Sequence, residues 1–159
     1  MGHRGDATPE GDVWYVNLAQ SYLAQIDRQT GESTVFNPPT ANQGARRVWS
    51  DSRNRLWISE WNSGQLSRYD PQIEEWREWP LVGTPAQAYA VYVDDLDFVW
   101  VTDFADNTID RFDPTTELME SFPLPSANAQ VRQLLGREGE VWGAESGVDK
   151  LIVFRREPV

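Results

Sequence analysis

Three carboxylates and one amide recur at a single place in this chain: Asn17, Glu60, Asp103 and Glu145 each stand three residues after a tryptophan, Trp14, Trp57, Trp100 and Trp142. Equivalent positions of a radial repeat fall on one ring around its axis, which would gather these groups near one mouth of a central channel. Oxygen ligands of this kind suit Mg²⁺ or Ca²⁺. A strand end meeting solvent carries the same residue types, so metal binding and simple solvation both stay open at this point. A second series, Arg46, Tyr89 and Arg132, recurs every 43 residues, with Arg47 beside its first member. Trp61 and Phe104 directly follow Glu60 and Asp103. The arginines either balance the carboxylates in a structural network or clamp an acidic or carbonyl-rich ligand through bidentate bonds. The two aromatics make either a rim for a small-molecule or peptide-like ligand or packing between repeats.

These side chains are positioned by the repeat itself. The four tryptophans lie 43, 43 and 42 residues apart, each in a short β-like run such as Leu56-Trp57-Ile58-Ser59 or Val99-Trp100-Val101-Thr102. Asp27, Asp70 and Asp113 follow 13 residues after their tryptophan, and Phe36, Trp79 and Phe122 follow 22 after. A fixed period in the low forties, built of short apolar strands and turn residues, is the length of one four-stranded propeller blade. One period reads as an inner strand, a turn, the tryptophan strand, a loop, a third strand ending at the aspartate, a turn and an outer strand. The second blade is expected at residues 46–50, 55–60, 65–69 and 75–79, and the third 43 residues later. Asp70-Pro71 and Asp113-Pro114 place an Asx acceptor before a proline of fixed φ, which makes these aspartates turn formers rather than catalysts. No stretch of ten or more residues carries a helical stripe, so the chain reads as all-β.

The segmentation that follows is a disordered leader over residues 1–10 and repeats over 11–45, 46–88, 89–131 and 132–159. The first repeat is expected to lack its inner strand and the last its outer one. That makes about three and a half to four blades, half of a seven- or eight-bladed ring, and a half ring leaves apolar blade faces open to water. A second copy or a missing N-terminal half is the partner that would close it. Arg4-Gly5-Asp6, an adhesion tripeptide in other settings, reads here as coincidence within the leader. A formal charge of −11 argues against nucleic acid and anionic membranes as partners, since both are bound by basic patches. The absence of cysteine removes a disulfide scaffold, a thiolate metal site and a cysteine nucleophile. There is no membrane-spanning apolar segment and no apolar signal core, which reads as a soluble chain, cytoplasmic if Met1 is its true start.

The recurring pattern Leu56-Trp57-Ile58-Ser59-Glu60, Gly64-Gln65-Leu66-Ser67-Arg68-Tyr69-Asp70-Pro71 and Trp79-Pro80-Leu81, repeated from Val99 to Leu124, resembles the virginiamycin B lyase (streptogramin lyase) family over residues 11–155. The resemblance implies a seven-bladed propeller that linearises cyclic depsipeptide antibiotics by a magnesium-dependent elimination, with this chain corresponding to the C-terminal half. It places Glu145 on the family's magnesium-binding glutamate. It places the family's two catalytic histidines in stretches that here read Gln87-Ala88-Tyr89-Ala90 and Gln130-Val131-Arg132-Gln133, neither containing histidine. His3, the one histidine of the chain, falls in the leader. An elimination needs a base to take the proton α to the ester carbonyl. The remaining candidates are Tyr89, Glu60, Asp103 and Glu145, with Arg132 beside them, and a tyrosine of ordinary pKa is a poor base at neutral pH.

The leading expectation is a lyase-like propeller segment that binds a ligand or divalent metal at the channel mouth without intact lyase chemistry. The alternatives are a magnesium-dependent lyase acting on streptogramin B antibiotics once the ring is complete, and so an antibiotic-resistance protein, or a structural scaffold for protein partners.

Overall fold

In the computed structural model, which describes residues 4–157, four antiparallel sheets follow one another along the chain. The first contains β1 (Arg4–Ala7), β2 (Val13–Asn17), β3 (Tyr22–Ile26) and β4 (Ser33–Phe36). The second contains β5 (Ala45–Ser50), β6 (Leu56–Glu60), β7 (Gln65–Asp70) and β8 (Glu75–Pro80). The third contains β9 (Ala88–Val93), β10 (Val99–Asp103), β11 (Thr108–Asp113) and β12 (Leu118–Pro123), and the fourth contains β13 (Val131–Arg137), β14 (Glu140–Glu145) and β15 (Lys150–Arg155). Strands adjacent in sequence are neighbours in each sheet, giving four up-and-down propeller blades, the last with three strands. The expected strand positions of the second and third blades hold to within a residue or two. Among the described residues no helix forms, and none long and apolar enough to cross a membrane exists.

The leader is where the structure departs from expectation. Arg4–Ala7 is the inner strand of the first blade, with Arg4 opposite Val16 and Ala7 opposite Val13. This strand has no apolar alternation, which is why the sequence pattern missed it. It is held by its ladder to β2 and by Asp6, whose Oδ2 accepts hydrogen bonds from Ser50 N (2.6 Å) and Ser50 Oγ (2.7 Å) of the next blade. Gly5 is required there, since a Cβ would stand 2.8 Å from the Trp14 carbonyl oxygen. The adhesion tripeptide is thus strand backbone. His3 lies outside the described residues.

The core lies between blades rather than within them. Three buried clusters fill the three junctions, and each is built around an aromatic triad. Trp14 and Phe36 of the first blade meet Tyr69 of the second, at ring-centre distances of 5.3, 6.0 and 5.0 Å. Trp57 and Trp79 meet Phe112 (5.6, 5.7 and 4.8 Å), and Trp100 and Phe122 meet Phe154 (6.1, 5.1 and 5.4 Å). Tilted and offset geometries of this kind stabilise aromatic pairs beyond the area they bury. The periodic tryptophan is therefore one corner of an inter-blade contact. In three blades its indole N–H is also satisfied locally, Trp57 Nε1 donating to Asp51, Trp100 Nε1 to Asp94 and Trp142 Nε1 to Glu140, each at 2.9 Å, whereas Trp14 Nε1 is buried without a partner.

The turns behave as their residues dictate. Asp27 Oδ1 accepts from Gln29 N and Thr30 N, Asp70 Oδ1 from Gln72 N, and Asp113 from Thr115 N and Thr116 Oγ1. These hydrogen bonds hold the Asp27 and Asp113 carboxyls below the usual carboxylate range.

Candidate functional site

Each inner strand from the second blade onward carries a β-bulge near its start. The register shifts between Ala45 and Arg47 against β6, between Ala88 and Val91 against β10, and between Val131 and Leu134 against β14. Bulges break the ladder and re-aim side chains. The residues they re-aim are Arg46, Tyr89 and Arg132. In two blades a hydroxyl of the partner strand occupies the broken rung: Ser59 Oγ accepts from Arg47 N (3.2 Å) and Thr102 Oγ1 from Ala90 N (2.9 Å).

The three re-aimed side chains converge with the two aromatics that follow β6 and β10. The Arg46 guanidinium carbon lies 3.7 Å from the Tyr89 ring centre and 4.8 Å from that of Trp61. Tyr89 stacks on Phe104 at 4.5 Å and 16°, and the Arg132 guanidinium approaches the Phe104 ring to 5.9 Å. Trp61 stands edge-on to both rings, at 5.7 and 5.6 Å. An array of guanidinium, phenol, phenyl and guanidinium thus crosses three blades, with Arg47 5.2 Å from the Tyr89 ring centre. Burial pushes the Tyr89 phenol up, but the Arg46 hydrogen bond and the charges of Arg46, Arg47 and Arg132 outweigh it and hold the group below its usual value.

Arg132 is oriented by neutral partners, donating to Ser146 Oγ and Gln130 Oε1 at 2.7 Å each. Among the described residues neither Arg46 nor Arg132 lies in an ion pair, whereas Arg55, Arg77, Arg111, Arg137, Arg155 and Arg156 all do.

The carboxylate series is placed differently. Glu60, Asp103 and Glu145 are buried, each at 1% exposure or less, and each accepts from a loop: Glu60 from the loop after its own strand, Glu145 from the connection between β12 and β13, and Asp103 from both kinds. Ser63 Oγ donates to Glu60 Oε2 (2.7 Å) and Ser126 Oγ to Glu145 Oε2 (2.9 Å), while Asp103 Oδ1 accepts from Gln87 N, Ala105 N and Asp106 N. Asn17 caps its loop by accepting from Gln20 N (2.9 Å). The second oxygens, Glu60 Oε1, Asp103 Oδ2 and Glu145 Oε1, are buried without a hydrogen-bond partner. No group of three His, Cys, Asp or Glu side chains among the described residues could hold a metal ion. Glu60, Asp103 and Glu145 therefore do not come together as one three-donor set. Burial pushes Glu60 above the usual carboxylate range, only partly offset by Ser67 and Ser63.

The opposite ends of the inner strands carry the other polarity. Asp6, Asp51, Asp94, Asp95 and Asp97 surround a depression of about 370 Å³. These groups are occupied: Asp97 accepts from Ser52 N and Oγ, and Asp95 from Gly139 N and Arg156. Asp51 accepts from Arg53 N, Arg55 N, Arg55 Nε and the Trp57 indole. Sequence reasoning missed this end, although the spacing of Asp51 and Asp94, six residues before their tryptophans, was visible.

Fold and mouth together define an open β-propeller segment whose inner-strand starts form a cationic, aromatic surface. Among solved structures, virginiamycin B lyase from Staphylococcus aureus is similar to 98% of this chain, at 17% identity and a TM-score of 0.84, and the chain spans 55% of that protein. A streptogramin B lyase matches 98% of the chain at 16% identity and 0.83, again over about half its length (54%). The extracellular domain of a one component system from B. thetaiotaomicron matches 98% at 18% identity and 0.75, over 21% of that chain. No family model and no curated protein sequence matches. At these identities the likeness is one of fold, as the repeat pattern led one to expect, and a fold of this kind does not by itself dictate chemistry.

Proposed function

We propose that this chain is a virginiamycin B lyase-like propeller segment whose mouth holds an acidic or carbonyl-rich ligand and does not perform the elimination of the lyases it resembles. The carrying observation is the pair of guanidiniums, Arg46 and Arg132, flanking the Tyr89–Phe104 stack without carboxylate partners in a chain of net charge −11. Six other arginines, Arg55, Arg77, Arg111, Arg137, Arg155 and Arg156, pair with acids. An arginine held over an aromatic face keeps its N–H donors available for a planar anion. A ligand with an acidic or carbonyl-rich edge meets these donors: the guanidiniums neutralise it and the aromatic rings border it.

The test is calorimetric titration with phthalate, an aromatic dicarboxylate, against its neutral dimethyl ester. Phthalate is expected to bind and the ester not, and Arg46→Ala with Arg132→Ala should abolish the difference. Equal affinity for both compounds would overturn the reading.

A second reading rests on Tyr89 alone, because a phenol held below its usual value is ionised in a larger fraction at neutral pH and so is more available as a base. On that reading a completed ring would linearise a streptogramin B antibiotic with Tyr89 taking the α-proton and Arg132 stabilising the developing negative charge. Turnover of quinupristin above background, lost in Tyr89→Phe, would favour this second reading over the first.

A further inference from the structure

One blade departs from the repeat in its interior. On the third strand, the position paired with the residue after the tryptophan is Ala24 in the first blade (opposite Tyr15), Ser67 in the second (opposite Ile58) and Ile152 in the fourth (opposite Gly143). In the third blade it is Asp110, opposite Val101. A small, hydroxyl or apolar side chain therefore satisfies the fold at this place, and the acid is an addition that the blade does not need. Asp110 is 0% exposed and Asp103 is 1% exposed.

The two acids share one face of their sheet. Asp103 pairs with Thr108 and side chains alternate along a strand, so Asp103, Thr108 and Asp110 lie on the same side, with Ser121 opposite Asp110. Diagonal cross-strand neighbours of this kind stand about 7–8 Å apart or somewhat less. Each carboxyl has one oxygen engaged: Asp110 Oδ1 accepts from Ser121 Oγ (2.6 Å) and Thr108 Oγ1 (3.1 Å), and Asp103 Oδ1 from Gln87 N, Ala105 N and Asp106 N. In each the other oxygen, Oδ2, is buried with no hydrogen-bond partner. Among the described residues neither lies in an ion pair. The backbone closes over Asp103 at Gly83, where a Cβ would collide with Asp103 Oδ2. In the second blade Glu60 has the Ser67 hydroxyl beside it, which favours its charged form. Here a second carboxyl takes the place of that hydroxyl. Two buried carboxylates with no basic partner are costly unless a cation or a proton relieves them.

We propose that Asp103 and Asp110 bind one hard divalent cation, Ca²⁺, between their free Oδ2 atoms inside the third blade. No third acidic side chain joins them among the described residues. The Thr108 and Ser121 hydroxyls, which donate to Asp110 Oδ1, keep oxygen lone pairs on the same face. Oxygen donors of this kind suit both Ca²⁺ and Mg²⁺, and enclosure selects Ca²⁺, because Mg²⁺ usually keeps several waters for which so buried a site has little room. Through Asp103 the ion would fasten the segment that leads into Tyr89 at Gln87 and the one that leaves Phe104 at Ala105. The inference does not rest on the ligand proposed for the mouth.

Thermal denaturation of the full chain, stripped with EDTA and then given Ca²⁺ at constant ionic strength, tests it. Ca²⁺ at about 100 times its Kd is expected to raise the melting temperature by roughly 5–10 °C, with calorimetry giving one ion per chain. Asp110→Asn should abolish that response and, in EDTA, melt no lower than the native chain, because it removes an unrelieved charge. Asp110→Ser, which restores the hydroxyl of the second blade, should lose the response as well and keeps the test open if the amide disturbs folding. Glu145→Gln, at the position that the family resemblance assigns to magnesium, should leave the response intact. A response that survives both Asp110 substitutions, or one that is lost in Glu145→Gln, would overturn the proposal. So would a native chain whose melting Ca²⁺ does not move, the result expected if a shared proton relieves the pair instead.

Discussion

The two ends of the inner strands differ less in how much charge they carry than in whether that charge is already occupied. At one end Asp51 and Asp94 bind the indole N–H of their blade's tryptophan and the amides of their own hairpin. Such a carboxylate holds a blade in shape. At the other end the bulges turn Arg46, Tyr89 and Arg132 out of the ladder and onto one another, and the guanidiniums find ring faces and neutral groups. A guanidinium without an acid can still accept one from a ligand. Polar residues at equivalent places in a repeat are thus divided between structure and recognition by what the blade leaves unsatisfied.

The strongest break of this contrast is Asp51→Ala. Its carboxylate is buried and takes four donors, among them the Arg55 side chain, and removing one partner of a buried, hydrogen-bonded charge pair costs about 3–5 kcal/mol. Urea denaturation should show that loss with an unchanged denaturant slope. Arg46→Ala at the opposite end should cost about 1 kcal/mol, the scale of a lost cation–π contact, since no buried charge is left behind. Equal losses at both ends would erase the distinction.

Next in size is the effect on ligand affinity. Loss of a bidentate, charge-assisted contact is worth about 1.5–3 kcal/mol, so Arg132→Ala should weaken phthalate binding roughly tenfold or more while leaving the melting temperature nearly unchanged. Asp97→Asn, at the acidic end, should leave phthalate affinity unaltered.

Much of this was legible in sequence because the blades use the same residue type for the same job. The tryptophan period, the Asx turns and the Arg46, Tyr89, Arg132 series all follow from counting. What counting cannot give is direction. Glu60, Asp103 and Glu145 share a position that reads equally well as a ring of metal ligands or as loop caps, and only the hydrogen bonds from Ser63, Ser126 and the Asp103 loop amides decide. Ser63, three residues after Glu60, was the available signal of a cap. The bulges were invisible for a related reason: the substitute acceptors, Ser59 and Thr102, look like ordinary strand residues. Strand β1 escaped because backbone pairing and one aspartate, not apolar alternation, hold it in place.

The buried acids make a further, smaller prediction. Burial raises Glu60 and Asp110 above the usual carboxylate range, so the folded state favours their protonated forms. Their contribution to stability is complete below the unfolded-state pKa and is lost as pH rises through the raised folded-state pKa. Glu60→Gln with Asp110→Asn should therefore raise the melting temperature at pH 8 relative to the native chain and leave it unchanged at pH 4. A gain of the same size at both pH values would locate the effect in packing instead of ionisation.

The smallest expected signal is also the most direct report on the cationic mouth. Tyr89 ionises below the ordinary tyrosine range because three arginines favour its phenolate against the opposing effect of burial. Tyr22, Tyr69 and Tyr92 are raised, so Tyr89 should be the first of these four to titrate in an ultraviolet phenolate titration. Arg46→Ala removes both its hydrogen bond and the nearest charge, and should move that first step upward. An anion seated between Arg46 and Arg132 neutralises the same charges, so saturating phthalate should move the step in the same direction, and it should add little once Arg46 is gone. If phthalate binds without moving the Tyr89 step, the ligand sits somewhere other than this stack, and the division between an occupied end and an open one loses its functional half.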